Sequence, residues 1–134
     1  MRGSPHLSLW AWAAVTAALG LTLALAPQAA ANLAAVPLPD GAAPWARLAG
    51  LMTLAYSLAY GVAAAFDLVP WMWASVALRG TSLAPIGALV GTGLLPSPML
   101  AIGVADLAGA LWTWRELAAR ARRDNEIQTP GKSR

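Results

Sequence analysis

The sequence predicts an all-α polytopic membrane protein, an antiparallel bundle of four transmembrane helices. Three observations carry that expectation. Of 134 residues, 58% are hydrophobic and only 11% charged, against roughly 25% charged in ordinary globular domains. Four segments approach the roughly 20 apolar residues that a spanning helix needs. Prolines stand at the boundaries of those segments, where a helix tolerates them.

The first span is expected over about residues 7–26, after Ser4-Pro5 and before Pro27. A secretory signal ending near Gln28-Ala29-Ala30-Ala31 is the alternative. Its apolar run, about 19 residues, exceeds the 7–15 usual for signals, so a retained helix is expected. The second span covers about 45–66, from Pro44 to Asp67. The third covers about 70–95, between Pro70 and Pro96. The fourth covers about 98–117, and together these make one domain, residues 1–118. Pro27 to Pro44 holds four prolines and Gly41, and is expected to lie on the membrane surface as a loop. The later connections are so short that helices two, three and four should be sequential antiparallel neighbours. Residues 119–134 form a basic tail expected to be disordered, since its end has Pro130, Gly131 and no apolar period.

Charge and tryptophan both predict orientation. Arg2, Arg115, Arg120, Arg122, Arg123, Lys132 and Arg134 fall on one side of a four-span chain and only Arg47 on the other. Basic residues near helix ends favour the cytoplasm, which puts both termini inside, at a bacterial inner membrane. Six of the seven tryptophans form W-x-W pairs, Trp10/Trp12, Trp71/Trp73 and Trp112/Trp114, all on that inner side, with Trp45 opposite. Their rings suit the interface. Residues two apart point roughly 200° apart on a helix, so one member of each pair is expected to pack inward.

Two charges lie inside spans, Arg79 and Asp106, where each costs roughly 2.5–3.5 kcal/mol by insertion scales. Counting from Pro70 sets Arg79 roughly 13 Å from the inner end and brings it near the depth of Asp106. Counting back from Pro96 leaves a gap of about 13 Å. The pairing stays open, with snorkelling of Arg79 to the headgroups as the alternative. Gly80, Thr81, Ser82 and Pro85 mark a place where helix three could break. In helix two, Thr53, Tyr56, Ser57 and Tyr60 share a face, beside Ala55, Ala59 and Ala63. A candidate polar site is therefore Arg79, Asp106, Tyr56 and Tyr60. Gly87/Gly91 and Ala105/Gly109 offer small-residue steps for close helix contact.

Much chemistry is excluded. The chain has no cysteine and one histidine, His6, which rules out thiol chemistry, thiolate metal sites and any multi-histidine site built by the chain alone. No nucleophile–base–acid set can be assembled, so catalysis is not expected. His6 and Asp67 read as solvated flanking groups. The net charge of +3 reads as topology rather than a nucleic-acid surface.

Arg47-Leu-Ala-Gly-Leu-Met-Thr-Leu-Ala-Tyr-Ser-Leu-Ala-Tyr, Arg79, and Gly103-Val-Ala-Asp106-Leu-Ala-Gly-Ala-Leu-Trp together resemble the small bacterial DoxX-like membrane proteins. The resemblance covers about residues 45–118. It implies a four-helix bundle, and some relatives are associated with quinol-linked or thiol-redox membrane complexes. The expected function is an accessory or structural membrane protein in contact with lipids, a larger membrane complex or a second copy. The competing reading is a quinone- or lipid-binding protein, with a ligand between helices two, three and four. A proton-coupled carrier using Asp106 ranks third, because four short helices leave little room for alternating access.

Overall fold

The computed structural model describes residues 6–128. Among them the chain is helical with no strand: α1 (Leu7–Leu25), α2 (Pro27–Leu33), α3 (Ala43–Ala65), α4 (Val69–Gly91) and α5 (Leu100–Gln128). A single 3-10 turn, Ser97–Met99, leads into α5. Three helices, α1, α3 and α4, are long and apolar enough to cross a membrane. Helix α5 does not meet that measure, because Asp106, Arg115 and Glu116 interrupt the stretch 98–117.

Several boundaries differ from expectation. Helix α4 ends at Gly91 rather than near residue 95, because Gly93 turns the chain at φ +75°. The Leu94 N–H then donates back to the Leu89 carbonyl at 2.9 Å, a six-to-one closure that favours glycine at its left-handed position. The surface segment 27–44 is not loop throughout, since Pro27 starts the short helix α2. No break follows Arg79: Pro85 lies inside a continuous α4. Helix α5 continues to Gln128, so the first part of the tail expected to be disordered is helical. Residues 129–134 lie outside the described residues.

Packing follows two hairpins. Helix α1 lies chiefly against α3, and α4 against α5, with a smaller α1–α5 contact closing the assembly. Helices α3 and α4, expected as close neighbours, meet only slightly. The tight turn joins their ends, but α3 turns the face of Gly50, Leu54, Ser57 and Gly61 to α1. There Gly20 and Gly50 meet backbone to backbone: a Cβ on Gly50 would stand 2.5 Å from the Ala24 nitrogen and 2.7 Å from the Gly20 carbonyl. Gly103 lets α4 approach similarly, through Leu83. The expected Gly87/Gly91 step makes no such contact, since nothing lies within 4 Å of either position. At one end, the start of α1, the end of α3, the start of α4 and the later part of α5 meet in a core of Leu9, Ala63, Ala64, Met72 and Leu117.

Candidate functional site

The space between the two hairpins is a cavity of about 260 Å³, lined by residues of α1, α3, α4 and α5. Arg79, Asp106, Tyr56 and Tyr60, the polar set singled out from the sequence, all line it, with Trp12, Thr16, Thr53 and Leu78. The four long helices α1, α3, α4 and α5 therefore bring one arginine, one aspartate and two phenols to a shared space. Tyr60 is buried and Tyr56 exposed. No ion pair joins Arg79 to Asp106 among the described residues.

The Arg79 side chain is buried inside the bundle. It is 4% exposed and held from three helices. Its Nε donates to the Ser75 carbonyl one turn back at 3.3 Å, and Nη2 donates to the Thr113 hydroxyl of α5 at 2.8 Å. The guanidinium stands 5.2 Å from the Trp12 ring centre and 5.5 Å from that of Tyr60. Aromatic faces attract such a cation by about 0.5–2 kcal/mol each. Gly109 makes room for it, because a Cβ there would lie 2.9 Å from Nη1 and 3.2 Å from the Trp12 ring. Nη1 itself is buried and has no hydrogen-bond partner among the described residues. A buried donor left unpaired costs about 1–3 kcal/mol, more when charged.

From Nη2 a chain of hydrogen bonds leads away from the cavity. Thr113 Oγ1 lies 3.0 Å from Ser8 Oγ, with the Gly109 carbonyl equally distant and sharing its proton. Ser8 Oγ donates to Glu116 Oε2 at 2.7 Å, and the Ser8 N–H reaches Glu116 Oε1 at 3.2 Å. Two hydroxyls thus link the arginine to a carboxylate. Sequence reasoning missed Ser8, Thr113 and Glu116. The signal was present: Asp106, Gly109, Thr113 and Glu116 recur at three- and four-residue steps and share one face of α5.

A second polar cluster clamps the core end. Asp67 sits in the α3–α4 turn at φ +54°, with the Leu68 N–H closing back to the Ala63 carbonyl at 3.0 Å. Aspartate tolerates this left-handed position better than most residues. Its carboxylate takes both η nitrogens of Arg120, one at 2.6 Å, and pairs with His6 Nε2 at 2.9 Å. The Arg120 guanidinium, chiefly, and then His6 hold the Asp67 carboxyl down at about 2. Asp67 stays solvated, with 47% of its side chain exposed against 11% for His6, yet the two together tie α1, the turn and α5.

The tryptophan pairs follow a rule different from the expected one. Only Trp12 packs inward. In Trp71-Met72-Trp73 and Trp112-Thr113-Trp114 the middle residue is fully buried and both indoles are exposed. Each ring lies about 100° to one side of the buried position. Trp45 is exposed at the start of α3.

No family model, curated protein or solved structure matches the chain. No group of three or more metal-ligating side chains occurs among the described residues.

Proposed function

We propose that the chain is a four-span membrane protein, both termini cytoplasmic, that holds an amphipathic membrane ligand in the cavity between its hairpins. The observation that carries this reading is Arg79, buried beside that cavity with Nη1 unpaired. An arginine is costly at this depth, and a ligand carbonyl or anionic oxygen would supply the missing acceptor. The fourth span is α5, whose Asp106 lines the cavity and whose Glu116 accepts from Ser8 of α1, while Ile102, Val104 and Leu111 are exposed. A helix with a polar inner face spans when its outer face is apolar.

A quinone-type headgroup fits these residues, with a carbonyl toward Arg79 and its ring among Trp12, Tyr60 and Tyr56. Bound there, such a group would supply electron carriage; the chain would supply position and a hydrogen bond. The DoxX-like resemblance supports the same site, since Arg79 and Asp106 are among the residues that carry it. Extraction in native lipid patches, followed by mass spectrometry of the small molecules, tests the reading. One amphipathic molecule retained per chain is expected. A preparation with no such molecule, but with a co-purifying protein subunit, would favour the accessory role expected from composition.

A further inference from the structure

A second site lies on the opposite face of α5 from the bundle. Trp114, Arg115, Ala118, Ala119 and Arg122 line a groove of about 300 Å³ there. Residues 115, 118, 119 and 122 share one helical face, so two arginines stand above and below a floor of two alanine methyls. Their Cα atoms are about 10 Å apart along the axis at 1.5 Å per residue, a span that two arginine side chains can close on one anion.

Both arginines are uncompensated. Neither Arg115 nor Arg122 makes an ion pair or hydrogen bond among the described residues. Of the acids near them, Glu116 accepts from Ser8, Asp124 lies 3.9 Å from Arg120, and Glu126, one turn beyond Arg122, makes no ion pair with it. Trp114 fixes the level, because an exposed indole settles where acyl chains meet headgroups. Arg115 begins one residue beyond it and Arg122 two turns further, which straddles the phosphate layer.

We propose that Arg115 and Arg122 bracket the phosphate of one anionic phospholipid of the inner leaflet, with its glycerol end over Ala118 and Ala119 and its chains beside Trp114. A guanidinium fork matches phosphate oxygens in geometry and charge. The site rests on the membrane reading above but not on the cavity or its ligand.

Native mass spectrometry of the protein released from phosphatidylcholine nanodiscs doped with phosphatidylglycerol tests it. The wild-type chain should retain one phosphatidylglycerol. Arg115→Gln and Arg122→Gln should each weaken retention about fivefold, and the double variant about thirtyfold. Arg123→Gln removes the same charge one position away and should change retention less than about twofold. Equal loss in Arg123→Gln would mean diffuse attraction and would overturn the site. So would full displacement of the lipid by inorganic phosphate, which would make it a free-anion site. Undiminished retention in an inserted double variant overturns this site alone. Failure of the wild type to enter neutral nanodiscs overturns the membrane reading, and the site with it.

Discussion

Arg79 of α4 donates to the Thr113 hydroxyl of α5 at 2.8 Å, and Thr113 is fully buried. That bond joins a charge inside one hairpin to a polar chain ending at Glu116. Thr113→Val, nearly isosteric, removes the acceptor and leaves a second guanidinium nitrogen unpaired. It should destabilise the protein by about 1–3 kcal/mol, whereas Thr113→Ser should cost less than half as much. A cycle with Arg79→Met, read from unfolding in detergent, should give a coupling above about 0.5 kcal/mol. Additive effects would remove Thr113 from the support of Arg79.

Glycine substitutions should separate true helix crossings from apparent ones. Gly50→Ala drives a methyl into the backbone of α1 and should cost about 1–3 kcal/mol or more, as overpacking does. Gly87→Ala meets nothing within 4 Å and should gain up to about 1 kcal/mol of helix propensity. Thermal midpoints of the two variants in one detergent check both signs. A neutral Gly50→Ala would contradict the α1–α3 crossing.

The Asp67 clamp predicts an acid limb. Its carboxyl is held at about 2 in the folded chain against an ordinary 3.8, so its contribution is complete above the higher value. That contribution is lost as pH falls from about 3.8 through about 2, because the unfolded chain takes up the proton first. Stability measured from pH 6 downward should therefore fall more steeply in the wild type than in Asp67→Asn. Asp67→Asn keeps a residue that tolerates the left-handed turn, so the difference reports the charge. Parallel curves would remove Asp67 from the acid response.

Topology is directly testable because the chain has no cysteine. Single cysteines at Asp40 and Glu126 need no background removal. An impermeant maleimide should label Asp40→Cys from the periplasmic side and Glu126→Cys only after the membrane is opened. Labelling of both from the same side would mean that α5 does not cross.

The sequence made the helices legible through apolar length and proline punctuation, and it named Arg79, Asp106, Tyr56 and Tyr60 because charge and phenol stand out in apolar runs. It did not reveal the partner of Arg79. Ser8 and Thr113 are ordinary residues in a membrane helix, and only the α1–α5 contact gives them a role. The glycine crossings were misassigned for a related reason. Gly87 and Gly91 have the right spacing, but a contact needs a partner surface, and Gly20 and Gly50 find each other across the long connection that holds α2. Asp67 is solvated as expected, but its partners His6 and Arg120 went unseen because they are distant in the chain.

Arg79 is proposed to hold a ligand in the cavity between the hairpins. The most direct test is ligand occupancy, counted by mass spectrometry, in wild type and Arg79→Met purified in native lipid patches. Methionine is apolar, of similar length and suited to helices, so the variant should fold and insert. One amphipathic molecule per wild-type chain is expected, with a loss of tenfold or more in Arg79→Met. Equal occupancy in both proteins, or none in either, would contradict that role.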